Sequence, residues 1–235
     1  MGSTASDELI GSWVTGWAGA RGYESRHEGR VHAALRHDTT GDWEYVIYEP
    51  TSEELVAVAQ TLAKHPSRRL TVFAADLPGV IAAGEAAGLS VLEADEALMV
   101  ADMDGQDVED PLPMDGFSIK SLRHGRHSYV SVHPDEDPRA VAASGHVSVV
   151  EGYAVFDRII TAPGYRRRGL GSLVMRALAA LALEHEVDEG LLIASLDGQA
   201  LYSYLGWTPL GKVVLFEAKR SGDAAAAPSA KPELR

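Results

Sequence analysis

Apolar residues recur along this chain with two periods, one helical and one of strands. Over residues 6–20, Leu9, Ile10, Trp13, Val14 and Trp17 fall on a single helical face. Ser6 stands where a cap is needed and Gly22 where the helix should end. Residues 23–42 are polar and mixed and read as loop or edge strand. His27, His32 and His37 are spaced there too widely for one helical face to share a metal between them. A strand is predicted at 43–48 and is stopped by Pro50. Thr51 and Glu54 then fit a capping box. The helix they open runs to about Lys64, with Leu55, Val58, Ala59 and Leu62 inward. A strand at 70–75 and a helix at 78–87 follow, the helix with Pro78 in its first turn and Gly88 at its end. Residues 89–103 read as a strand, or as a hairpin turning near Ala94 and Asp95. The first half is thus α, then β-α-β-α-β.

Residues 104–115, DGQDVEDPLPMD, are acidic and proline-punctuated and mark a linker. The expected division is an N-terminal α/β domain over 1–103, the linker, a second domain over 116–219, and a low-complexity, disordered tail over 220–235. In the second domain, strands are predicted at 117–122 and 129–132, followed by a hairpin over 139–150 and 153–161 around Glu151 and Gly152. A helix over 171–185 carries Leu173, Val174, Leu178 and Leu181 inward. A buried-type strand at 190–195, a short helix at 198–205 and a strand at 213–218 complete it. Residues 45–103 and 154–218 share the order β-α-β-α-β, with Gly88 matching Gly206, as expected of an internal duplication or of a common arrangement met twice.

The most specific stretch lies between the strand ending Ile159, Ile160, Thr161 and the helix after it. Pro163 and Gly164 stop the strand; Arg166, Arg167, Arg168, Gly169, Leu170, Gly171 and Ser172 follow. A helix N-terminus presents unpaired backbone N–H groups and the positive end of the dipole, so it suits an anion. Glycines there let the anion approach the backbone. The glycine spacing fits neither a dinucleotide fingerprint nor a P-loop. By itself the stretch could also be a basic turn with no ligand. A second run, Ala200-Leu201-Tyr202-Ser203-Tyr204-Leu205-Gly206-Trp207, lies one strand downstream.

Together R-x-x-G-x-G and A-L-Y-x-x-L-G-W resemble the motifs of the GNAT superfamily of N-acetyltransferases over residues 116–218. The resemblance implies an α/β (α+β) fold: a mixed, mostly antiparallel sheet flanked by helices, here preceded by a smaller N-terminal half. It implies acetyl-CoA as cosubstrate, with its pyrophosphate over Arg166 to Ser172 and its pantetheine along Ile159, Ile160 and Thr161. It implies that Tyr202, rather than Tyr204, protonates the departing CoA thiolate. The chain departs from the family twice. Residues 123–128 are too few for the acceptor-binding helices usual after the first strand, a role open to the Trp13/Trp17 helix. Asp197-Gly198-Gln199 also stands where an asparagine is common. The first half has Glu49, Glu53 and Glu54 in place of the arginine–glycine loop, as in a degenerate repeat that has lost its cofactor.

Composition narrows the function. The chain of 235 residues is 46% hydrophobic and 23% charged, and its formal net charge is −13. Such acidity disfavours nucleic acid and makes the local arginine cluster more informative. No cysteine is present, so disulfides, thiolate metal sites and an acyl-cysteine intermediate are excluded. No metal site is expected, and no long apolar run suggests a membrane span; the expected compartment is cytoplasmic. The acceptor should be a small-molecule primary amine that attacks the thioester directly, and a homodimer is open. A general base must take the amine's proton. The candidates are Asp157, Glu151, His146 and Asp197. Asp157 is preferred because it shares a strand face with Thr161, against the alternative of a structural pair with an arginine such as Arg158. The competing functional class is a non-catalytic acyl-CoA-binding or interaction module.

Overall fold

A computed structural model of the chain describes residues 4–108 and 111–219, so the tail expected to be disordered lies outside the described residues. Helix α1 (Asp7–Arg21) leads into strands β1 (Ser25–Glu28), β2 (Val31–Leu35) and β3 (Trp43–Tyr48). Helix α2 (Ser52–Lys64), β4 (Arg69–Ala74), α3 (Leu77–Ala86) and β5 (Leu89–Asp102) complete the first half. The second half comprises β6 (Phe117–His124), β7 (His127–Pro134), β8 (Ala143–Val150), β9 (Tyr153–Thr161), α4 (Leu170–Ala182), β10 (Glu189–Ala194), α5 (Leu196–Tyr204) and β11 (Thr208–Ala218).

All the strands form one sheet in the order β1-β2-β3-β4-β11-β5-β10-β9-β8-β7-β6. Only β3–β4 and β9–β10 are parallel. The two halves therefore exchange their last strands. In the first, β3 and β4 are completed by β11 from the second; in the second, β9 and β10 are completed by β5 from the first. β5 and β11 pair antiparallel at the centre. The repeated unit β-α-β-α-β is thus laid down twice about that central pair. Gly88 and Gly206 hold matching left-handed conformations, φ 92° and 87°, before the exchanged strands.

Strand alternation divides the core between two faces. On one face α1 alone packs Leu9, Ile10, Trp13, Val14 and Trp17 onto Val46, Phe73, Leu98, Val155, Leu191 and Val213. These sheet residues come from both halves, so α1 spans the seam. Trp13 and Trp17 stack at 5.2 Å, and Trp13 meets Phe73 edge-on. On the opposite face α2 and α3 cover Ile47, Val72 and Val214, while α4 and α5 cover Met99, Ala154, Phe156 and Leu192.

Three local features sharpen or extend the sequence expectation. Residues 89–103 form one strand and not a hairpin: β5 is paired on both sides, and Ala94 and Asp95 are absorbed as a bulge between Glu93 and Glu96. Residues 25–35 form an antiparallel hairpin closed at Gly29, φ 57°. β6 and β7 are longer than the apolar pattern suggests and join through Gly125 and Arg126 alone, with pairing continuing to His124 and His127. No helix intervenes between them.

Two predictions concern stability. A Cβ at Gly16 would lie 2.5 Å from Val155 Cγ2, so α1 rests on β9 only because Gly16 has none. Gly16→Ala should destabilise by about 1–3 kcal/mol, despite the roughly 1 kcal/mol that helix propensity offers Ala over Gly. Val155→Ala in the same chain should recover much of the loss in a denaturant double-mutant cycle; additive losses would show that the contact is not the cause. Glu96, raised from 4.5 to about 7 by burial and then by Glu93, Asp95 and Glu44, gives a pH dependence. The folded chain holds this proton more tightly than the unfolded chain, so the contribution is present at low pH and is lost as pH rises through about 7. Glu96→Gln should flatten that part of the stability profile, and thermal melts at pH 5 and pH 8 check it.

Candidate active site

The site is built where a parallel pair comes apart. β9 and β10 are in register only from Tyr153–Glu189 to Val155–Leu191. Beyond that, β9 continues to Thr161 and β10 to Ala194 without pairing to each other, which leaves the edge of β9 that faces β10 without a strand partner. The equivalent pair in the first half stays closed. β3 and β4 pair from Glu44–Arg69 to Tyr48–Phe73, and Glu49 N–H then donates to Phe73 O at 2.9 Å. One half has a cleft between its parallel strands and the other has none.

A bulge shapes the open strand. The β8–β9 register shifts between Ser144–Ile160 and His146–Asp157, so Gly145 faces both Arg158 and Ile159. Arg158 takes φ 51°, an uncommon left-handed conformation for a side-chain-bearing residue. Gly145 is required here, as a Cβ would fall within 3 Å of Ile159, Leu178 and Val174.

The predicted anion loop closes the open end. After Thr161 the chain makes a 3-10 turn at Pro163–Tyr165 and enters α4 through Gly169, φ 76°. Gly169 supplies no side-chain cap, so the first-turn N–H groups of Leu170, Gly171 and Ser172 are left for another acceptor. Arg166, Arg167 and Arg168 are exposed. Arg166 Nε donates to Thr161 O at 3.2 Å, and Arg168 lies over the Tyr165 ring at 5.5 Å. Arg167 holds φ 63°. Ile159 and Thr161 are half-buried and Ile160 is exposed on the same strand. The structure thus brings the whole predicted loop and strand together. At α2 the same position is self-satisfied: Thr51 and Glu54 form the predicted capping box, with acidic Glu53 and Glu54 in the first turn.

Tyr202 is carried on α5 and packs near Trp207, with ring centroids 6.2 Å apart. It is 7% exposed while Tyr204 is 85% exposed, which is the predicted orientation of the helix. Burial, with a contribution from the Asp157 charge, pushes the Tyr202 phenol up to about 12, so it remains a proton donor throughout the neutral range. Gln199 Nε2 donates to Ala194 O and to Asp95 O, tying α5 to the end of β10 and to the exchanged strand β5.

Asp157 faces α1, across the sheet from α4 and α5. Both of its oxygens accept from Arg21, Nε at 2.6 Å and Nη2 at 2.8 Å. Burial works against the Arg21 charge, but the bond and charge of Asp157 outweigh it and raise its pKa. Arg158 pairs with Asp38, which also accepts from Tyr23. The partners from the first half, Arg21, Tyr23 and Asp38, carry no motif, and sequence reasoning did not find them. A cationic C-terminus on an amphipathic helix was the available clue for Arg21. His146 sits opposite Asp157 on β8, and its Nδ1 is 3.0 Å from His127 Nε2. Glu151 is remote: it accepts from Ser12 and lines a cavity with Asp102, Asp104, Asp188 and Glu189 beyond the closed end of β9 and β10. Asp197 lies in the first turn of α5. Among the described residues no group of three or more His, Asp or Glu is arranged to hold a metal, and no helix is long and apolar enough to cross a membrane.

The fold thus sets a splayed parallel pair, an uncapped helix behind a basic glycine loop and the Tyr202 helix in one half of a mixed sheet. Residues 98–207 match the family model described as Acetyltransferase (GNAT) family. An uncharacterized N-acetyltransferase, YobR, of Bacillus subtilis (strain 168) is 25% identical over 114 residues, covering 45% of this chain and 46% of the relative. The match thus spans about half the length of that relative. Among solved structures, a GCN5-related N-acetyltransferase from Kribbella flavida aligns with a TM-score of 0.68 at 14% identity, over 95% of this chain and 99% of that one. A tandem GNAT protein from the clavulanic acid biosynthesis pathway aligns at 0.57 and 18% identity, over 82% and 80%. Likeness at this identity shows the fold, including its extension through both halves.

One binding prediction follows from the contrast between the halves. Calorimetric titration with CoA should show one site per chain, with an affinity that falls as salt is added. Gly169→Glu, which forces a side chain into a left-handed position and adds a carboxylate at the helix N-terminus, should abolish that binding. Two sites, or unchanged binding in the variant, would contradict the assignment.

Proposed function

We propose that the chain is an acetyl-CoA-dependent N-acyltransferase that moves the acyl group to a small primary amine by direct attack on the thioester. The observation that carries this reading is the asymmetry of the two parallel pairs. β9–β10 is open with a basic, uncapped helix start at its mouth, and β3–β4 is closed with an acidic, self-capped one. In this proposal the CoA pyrophosphate rests on the first-turn N–H groups of α4 between Arg166 and Arg168. The pantetheine pairs with the free edge of Ile159, Ile160 and Thr161 as an added strand would. The first half is a degenerate unit of the same kind, retained as scaffold, and α1 replaces the helices absent between β6 and β7 as a wall of the acceptor side.

The amine nitrogen adds to the thioester carbonyl carbon and gives up one N–H proton to a base or to water, and the C–S bond then breaks. The departing sulfur takes the Tyr202 proton, and Tyr202 recovers one from solvent. The chain has no cysteine, so no acyl-cysteine forms on it. Asp157, the base expected from strand alternation, is committed to Arg21 in this structure. Its proposed role is to fasten α1 to β9 beside the cleft.

Tyr202→Phe keeps the ring and removes the hydroxyl. Its single-turnover rate with acetyl-CoA should fall about 10²-fold, the lower range for a positioned acid, with CoA affinity retained. Tyr204→Phe, at an exposed position, should behave as wild type. Equal rates for wild type and Tyr202→Phe would remove the acid role. Tight CoA binding without turnover of any amine would instead favour a non-catalytic acyl-CoA-binding module.

A further inference from the structure

The short β6–β7 turn leaves the sheet face outside α1 uncovered by a helix, and a cavity of about 460 Å³ lies there, lined by Leu122, Arg123, His124, His127, Tyr129 and His146. Its position relative to the cleft is fixed by register. Tyr129 on β7 is opposite His146 on β8, and His146 is opposite Asp157 on β9, so the three form one row on the face that α1 occupies. β9 is the strand that β10 leaves at Val155. The row therefore ends at the edge of the cleft, and Asp157 lies within electrostatic reach of both His146 and Tyr202.

The chemistry of the cavity is specific. The His127 and His146 rings stack at 5.2 Å and 9°, with a hydrogen bond between His127 Nε2 and His146 Nδ1 at 3.0 Å. Tyr129 packs on His146 with ring centroids 4.7 Å apart. Such a bond needs one N–H and one lone pair, as a neutral imidazole pair provides. None of the lining residues is acidic. Each carboxylate close by is already paired: Asp157 with Arg21, Asp38 with Arg158 and Glu184 with Arg123. An ammonium entering here would find no free anion, and Arg21 and Arg158 near the row would repel it.

From this we infer that the cavity is the acceptor subsite, that it takes a weakly basic amine carried on an aromatic or apolar body, and that the His146–His127 pair accepts its proton. The inference rests on the acyl-transfer reading above and gives that reaction its acceptor class. The uncharged amine nitrogen adds to the thioester carbon, and its N–H proton passes to His146 Nε2. His146 hands its Nδ1 proton to His127 Nε2, and His127 releases one to solvent. The thiolate is protonated by Tyr202, so an amine and a thioester become an amide and a thiol with no other reactant. Burial, then the neighbouring His127, hold His146 down near 4, with Arg158 and Arg21 acting in the same direction and Asp157 against them. His127 is lowered by burial and by His124. The pair is therefore unprotonated and ready to accept at neutral pH.

The test uses the full chain with acetyl-CoA and two probes, 4-methylaniline and phenethylamine, at pH 7. The arylamine should have the higher kcat/KM by tenfold or more, although the alkylamine is the stronger nucleophile once deprotonated. His146→Gln should lower kcat for the arylamine by about 10²-fold with CoA affinity unchanged, which also shows that the variant folds. His127→Gln should give a smaller loss. In the CoA-bound protein, titrating 4-methylaniline should shift the imidazole NMR signals of His127 and His146 and leave those of His27 and His32 in place. A preference for phenethylamine, a His146→Gln enzyme as fast as wild type, or unmoved His127 and His146 signals would overturn the inference while leaving acyl transfer intact. CoA binding with turnover of neither amine would overturn acyl transfer, and this inference with it.

Discussion

The structure depends on the antiparallel pairing of β5 with β11. Each strand ends one half of the chain and is built into the other, so neither half has a complete sheet of its own. A β-strand left at a sheet edge exposes unpaired backbone groups. Exchange pairs both strands on both sides and places them at the centre. The cost of this arrangement is independence: the first half is bound to the second even though its own parallel pair holds no cleft. The same pairing fixes where α1 lies. Its apolar face needs Phe73 and Val213 from one side of the seam and Leu98, Val155 and Leu191 from the other, and only the joined sheet offers them together.

From that placement the site acquires its polar frame. Arg21 emerges at the end of α1 beside Asp157, and Asp38 in the loop after β2 meets Arg158 at the bulge. These bonds join the first half to the strand that carries the cleft. Arg158, in a left-handed conformation, and Gly145, which leaves room for Ile159, Leu178 and Val174, form the bulge in the part of β9 that does not pair with β10. In the first half nothing turns β3 from β4, and the pair stays zipped to Phe73. Two units of the same order thus differ, around their parallel pairs, in a bulge, a glycine and the caps of two helices.

Much of this was legible in the residues. The loop Arg166 to Ser172, the capping box at Thr51 and the inward turn of Tyr202 depend on local chemistry, and local chemistry is written in contiguous sequence. The order β-α-β-α-β was legible for the same reason, and so were the matching glycines at 88 and 206. Strand exchange was not. A strand's apolar alternation says which face is buried but not which neighbour it pairs with. The polar stretch around Ala94 and Asp95 resembles a turn when read alone, and becomes a bulge only because β11 lies alongside. The Arg21–Asp157 and His127–His146 pairs join residues far apart in the chain or on separate strands, so no spacing announces them.

The central proposal is that acyl-CoA binds in the opening between β9 and β10 and not between β3 and β4. Amide hydrogen exchange with and without acetyl-CoA tests it most directly, because the unpaired inner edge of β9 and the first turn of α4 are the groups the cosubstrate would cover. The account predicts new protection at residues 157–161 and 169–173, with exchange at 44–52 and 69–74 unchanged. Protection that appears instead between β3 and β4, or equally in both halves, would contradict it.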